Sequence, residues 1–152
     1  MKLSANFSLG ELTKSETAIR KGIDNSADEI VTAHLQALVD NVLQPVRDKF
    51  GSVRVTSGYR SPLLNSSIGG SKTSHHCYGF AADFEVVGKD NRELAIWIRD
   101  NLEFTQLILE FYTAGDPNSG WVHCSYDAQD LRKQVLTATK VDGKTKYVTG
   151  IV

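Results

Sequence analysis

The sequence predicts an α+β fold: an antiparallel sheet packed against helices, finished by a C-terminal hairpin. Three observations lead there. Helical periodicity fills much of the first half, short β-branched runs fill much of the second, and the two do not alternate as regular βαβ units would. A chain of 152 residues that is 41% hydrophobic has the size and composition of one compact unit, so a single domain over residues 1–152 is expected.

Ser8 and Glu11 make an S-x-x-E capping box, opening a short helical region that runs brokenly through Ala18 and Ile19 to Gly22. Ser26 and Glu29 make a second box. Behind it Val31, Leu35, Leu38, Val42 and Val46 recur at the spacing of one face of a long helix. Pro45 lacks a backbone donor, so a bend or loosening is expected there before Gly51. Asp90 and Glu93 open a third helix, whose buried stripe is Leu94, Trp97, Ile98 and Leu102 and whose end lies near Asn101. Strands are expected over Val53–Ser57, Ala81–Val87, Gln106–Tyr112 and Trp121–Tyr126, with a terminal pair either side of the hairpin dipeptide Asp142-Gly143.

Seventeen Lys and Arg against 18 Asp and Glu leave a net charge of -1, so nucleic acid is not an expected partner. No apolar run reaches the ~18 residues that cross a bilayer, and membrane insertion is not expected. The opening MKLSANFSLGEL is too polar for a signal peptide, which leads to an expectation of synthesis in the cytoplasm, as a monomer. Cys77 and Cys124 are too few for a disulfide scaffold and form no C-x-x-C pair. They read as buried thiols, although a disulfide between them is geometrically conceivable.

Chemistry-bearing side chains gather in three stretches: Ser57-Gly-Tyr-Arg60, Ser74 to Asp83, and Trp121-Val-His123. Gly79 lets the chain turn between His76 and Asp83, so a loop imidazole and a strand carboxylate can converge. Alternation sets Asp83 opposite Phe84 and Val86, and His123 opposite Val122 and Cys124. His76, Asp83 and His123 therefore read as zinc ligands, with a fourth tetrahedral position left open as in catalytic sites. Glu110 is the expected proton carrier, because its strand is the expected hairpin partner of the one bearing His123. Asp116 is the second candidate, although Asp-Pro-Asn-Ser-Gly reads as a turn.

Arg60, in a Gly-containing loop after a strand, is placed to clamp a substrate carboxylate with two hydrogen bonds. The structural alternatives are that Arg60 braces its loop and that Glu110 pairs with a nearby Lys or Arg. His34 and His75 read as ordinary structural histidines. Trp97 and Phe104 read as core, Trp121 and Tyr59 as candidates for a cleft wall.

The pattern S-x-H-x-x-G-x-A-x-D, met by Ser74, His76, Gly79, Ala81 and Asp83, has S-G-Y-R ahead of it and W-x-H behind it. Together these resemble the zinc D-alanyl-D-alanine carboxypeptidase family, which shares its fold with the hedgehog signalling domain and includes phage endolysins. The resemblance runs from Phe7 to about Tyr126 and leaves out the terminal hairpin. It implies zinc on His76, Asp83 and His123, Arg60 on a substrate carboxylate, and Ser74 hydrogen-bonding the peptide.

The substrate it implies is a peptide bond of bacterial peptidoglycan stem peptides: D-Ala-D-Ala, or another such as L-Ala-D-Glu, cut in exo or endo fashion. Many members carry their catalytic acid three residues before the last histidine, where this chain has Gly120. Glu110 is then expected to serve from the neighbouring strand. Gly120 also raises an alternative, a zinc-stabilised murein-binding or virion protein without turnover. Since peptidoglycan lies outside the cytoplasmic membrane, the expected route to it is release through a phage-type membrane lesion or carriage by a virion.

Overall fold

Short polar side chains start the first three helices. The computed structural model describes residues 1–71 and 74–152. Helix α1, Leu9–Thr13, is capped by the Ser8 hydroxyl, which accepts from the Glu11 N–H at 3.2 Å. Helix α2, Glu16–Lys21, is capped by Ser15 and ends at Gly22 in the left-handed region.

Helix α3, Glu29–Leu38, does not start from the expected Ser26 box. Asp28 caps it instead, its carboxylate accepting from the Val31 N–H at 2.8 Å, while Ser26 donates its hydroxyl to Asp24 at 2.7 Å. An aspartate caps as well as a serine and adds a negative charge at the helix N-terminus.

Beyond Leu38 the helix runs on through a π-turn, Val39–Leu43, into α4, Gln44–Phe50. The Gln44 N–H reaches back to the Val39 carbonyl, and Pro45 falls in the first turn of α4. The irregularity therefore takes the form of a widened turn just ahead of the proline, where a missing donor is tolerated. Val31, Leu35, Leu38, Val42 and Val46 are all buried, as their spacing predicts. Helix α5, Pro62–Ser67, and a 3-10 turn, His75–Tyr78, were not legible as periodic segments because each is too short. Helix α6, Asn91–Asn101, is capped by Asp90.

Six strands form one sheet: β1 Val53–Ser57, β2 Ala81–Val86, β3 Gln106–Glu110, β4 Trp121–Ser125, β5 Gln134–Val141 and β6 Lys144–Thr149, in the order β1-β2-β4-β3-β5-β6. The class is α+β as predicted, and the terminal pair turns at Asp142-Gly143, both residues at positive φ. One pairing departs from the antiparallel expectation: β3 and β5 run parallel. Since β4 already occupies one edge of β3, the chain loops back after β4 and joins the other edge at its start. There Lys133 and Gln134 donate their N–H groups to the carbonyls of Phe104 and Thr105.

One sheet face belongs to the core. Ala82, Phe84, Val86, Leu107, Leu109, Val122 and Cys124 pack with the apolar faces of α3, α4 and α6. A large apolar side chain buried in this way contributes roughly 1.5–3 kcal/mol. Alternation turns Asp83, Ile108, Glu110, Trp121 and His123 to the opposite face, so the site stands on the back of a packed sheet. Both cysteines are free, and burial pushes the Cys124 thiol far up, which keeps it protonated and inert. Among the described residues, no helix is long and apolar enough to cross a membrane.

Candidate active site

Strand register assembles the centre. Asp83 in β2 lies opposite His123 in β4, which lies opposite Ile108 in β3. Asp83 and His123 are therefore neighbours in one row across the sheet. His76 arrives from the 3-10 turn, and Gly79 at φ 78 reverses the chain between that turn and β2. A Cβ at Gly79 would sit 2.9 Å from the Val31 carbonyl oxygen, so the close packing of this turn on α3 needs the glycine.

The His76 Nδ1 lies 2.7 Å from the Gly58 carbonyl oxygen. A carbonyl only accepts, so Nδ1 carries the proton and Nε2 presents its lone pair, 3.3 Å from Asp83 Oδ1. The His123 Nδ1 faces the same carboxylate oxygen at 2.9 Å. Ligand atoms of His76, Asp83 and His123 all lie within 4.8 Å of one another. Burial by itself would raise the Asp83 carboxyl, but the adjoining imidazoles, His123 ahead of His76, overcome it and hold the group well below the usual carboxylate range. Two imidazole nitrogens and an ionised carboxylate, with one imidazole locked from behind by a carbonyl, fit a tetrahedral zinc ion that keeps one position open.

A cavity of about 510 Å³ opens over these three residues and is also lined by Arg60, Ser74, Glu110 and Trp121. The Trp121 indole N–H donates to Glu110 Oε2 at 2.5 Å. Burial first, and then the negative charge of Asp83, push the Glu110 carboxyl above its ordinary value. No Lys or Arg ion-pairs with Glu110 among the described residues, as the structural alternative would require. Asp116 lies in an exposed turn bridged to Thr113 and does not line the cavity.

Arg60 is anchored by its backbone N–H on the His76 carbonyl at 3.0 Å, while its buried Nε makes no hydrogen bond among the described residues. Such an atom is costly unless a ligand satisfies it. Ser74 accepts from the His76 N–H at 3.2 Å, and its hydroxyl proton is taken by no acceptor among the described residues. His34 is structural, its Nδ1 2.7 Å from the Tyr78 carbonyl oxygen and its ring 4.2 Å from that of Phe80.

Gly120 explains why no acid stands three residues before His123. Its φ is +65, and a Cβ there would fall 2.1 Å from the Glu110 carbonyl oxygen and 2.8 Å from the Tyr112 nitrogen. The backbone closes that position to any side chain.

Six described residues that line the cavity were not site candidates from sequence: Ser71, His75, which reads there as structural, Gln106, Ile108, Arg132 and Tyr147. His75 Nδ1 lies 3.0 Å from the Ser125 hydroxyl, and burial, followed by the nearby His123 and Arg132, depresses its basicity. Gln106 shares the alternation of Ile108 and Glu110 and was legible from it. Arg132 and Tyr147 reach the cavity only because β5 joins β3 in parallel, which no local pattern announces.

Two imidazoles and a carboxylate over a sheet face, beside a half-buried carboxylate and a guanidinium whose Nε has no partner among the described residues, have the layout of a metal-dependent hydrolase centre. A family model described as Peptidase M15 matches residues 5–125, and the chain belongs to that family. It is also 37% identical over 106 residues to the zinc D-Ala-D-Ala carboxypeptidase of Streptomyces albus G, an alignment covering 68% of this chain and 40% of the relative. The matched stretch is thus less than half of that relative's length.

Proposed function

We propose that this chain is a zinc-dependent peptidase that hydrolyses a peptide bond in the stem peptides of bacterial peptidoglycan, as a D-Ala-D-Ala carboxypeptidase or an endopeptidase. The observation that carries the reading is the convergence of His76, Asp83 and His123 beneath a cavity that also holds Glu110 and Arg60. Bound there, zinc would supply Lewis acidity toward the scissile carbonyl and lower the pKa of water to ~7.

The protein's own groups do the rest. Arg60 grips a substrate carboxylate through the two-pronged guanidinium, and Ser74 donates its hydroxyl to the peptide backbone. The Glu110 carboxylate takes the proton from the attacking water and returns it to the leaving amine. Trp121 holds one Glu110 oxygen through its indole N–H, which fixes the direction of the other. The relative's D-Ala-D-Ala chemistry supports the substrate class.

A second reading is a zinc-stabilised protein that binds murein without turning it over, and Gly120 at the position of the family's usual acid is the observation favouring it. Digestion of purified bacterial wall, with mass spectrometry of the released muropeptides, separates the two. Peptidase action yields new peptide termini at one bond, abolished by a zinc chelator and restored by zinc. Retention on the wall with no new termini would establish the binding reading instead.

A further inference from the structure

The hairpin β5–β6 lies outside the segment matched by the family model, yet Tyr147 from β6 lines the same cavity as Glu110. Register explains how. Glu110 in β3 lies opposite Ala138 in β5, and Ala138 lies opposite Tyr147 in β6. The three stand in one row on the cleft face, with about 10 Å between the outer two Cα atoms at ordinary strand spacing.

The middle residue offers only a methyl group, so no side chain of β5 in that row stands between the phenol and the Glu110 carboxyl. Tyr147 is 54% exposed, and its hydroxyl makes no hydrogen bond among the described residues. A tyrosine on a terminal strand brings a large amphipathic surface and an uncommitted donor to the cleft at little cost in conformational freedom.

Sheet order gives this end a direction. Arg60 follows β1 at one edge, Tyr147 is in β6 at the other, and the His76, Asp83 and His123 cluster lies between them at β2 and β4. A peptide whose carboxylate is held by Arg60 would therefore cross the strands toward β6.

We propose that hairpin β5–β6 forms the far wall of the cleft, and that the Tyr147 phenol donates a hydrogen bond to the substrate peptide on the side of the scissile bond opposite the carboxylate held by Arg60. The inference rests on the peptidase reading for its direction. It makes Tyr147 a specificity-determining residue that selects peptides long enough to reach it.

The test compares wild type with Tyr147→Phe on two stem peptides that share a scissile bond, one of them truncated on its N-terminal side. The loss of one hydrogen bond should lower kcat/KM on the longer peptide about tenfold and leave the shorter within about twofold, with Tm and zinc content unchanged. An equal effect on both peptides, or none, would overturn the proposal.

Tryptophan fluorescence of the zinc-free protein, titrated with the longer peptide, gives a readout independent of turnover because Trp121 lines the cavity. Weaker binding by Tyr147→Phe is expected. If wild type binds the peptide without cleaving it, the peptidase reading fails while weaker binding by the variant still supports the role of Tyr147. Equal binding by the two proteins, or no binding by wild type, would overturn that role.

Discussion

Glu110 is held where burial and the charge of Asp83 both favour its protonated form. Only the ionised carboxylate can accept a proton from water, so activity should be lost on the acid side of the Glu110 pKa, in a limb displaced above the ordinary carboxylate range of about 4. The sign of a neighbour's effect follows. Trp121 donates to the carboxylate and stabilises it, so Trp121→Phe should move that limb of kcat/KM to still higher pH. Glu110→Gln should keep fold and metal while lowering turnover by about 100-fold or more. A limb that stays put in Trp121→Phe and full turnover in Glu110→Gln would together remove Glu110 from the reaction. The same scale shows why Asp116 and Glu110 could be ranked from sequence: a turn composition exposes one, and strand alternation aims the other at the cleft.

At the scale of elements, the end of β3 and the start of β4 are joined by a close approach that only glycine allows. Gly120 is at positive φ, and a Cβ added to it would collide with the Glu110 carbonyl oxygen. Gly120→Ala should therefore lower Tm by more than about 4 °C, because both the conformation and the contact are unfavourable for a side chain. An unchanged Tm would show that these strand ends yield easily. The family's usual arrangement is thus absent for a backbone reason, and the mechanism proposed above takes its proton carrier from the adjacent strand.

Much of this element scale was legible beforehand: the buried stripe of α3 and α4, the hairpin at Asp142-Gly143, and the opposite facing of His123 and Cys124. What was not legible depended on competition between similar local signals or on distant partners. Asp28 outcompeted Ser26 as a cap two residues away. The π-turn ahead of Pro45 and the parallel entry of β5 were settled by packing against the rest of the sheet.

Across the whole molecule, one sheet divides two tasks. Its inner face carries the apolar residues that bind the helices, and its outer face brings Asp83, Glu110, His123 and Tyr147 to one cavity from strands far apart in sequence. His76, Asp83 and His123 could be paired in advance because their spacing follows turn and strand geometry. Tyr147 could not, because it reaches the cleft through two further strand pairings.

The central claim is that these three side chains hold the ion on which hydrolysis depends. Its most direct measurement is the titration of metal-free protein with zinc while release of stem-peptide products is followed. Activity should rise in proportion to added zinc and level off at about one ion per chain, and His123→Ala should show neither tight binding nor the rise. Full activity before zinc is added, or full zinc occupancy in His123→Ala, would contradict it.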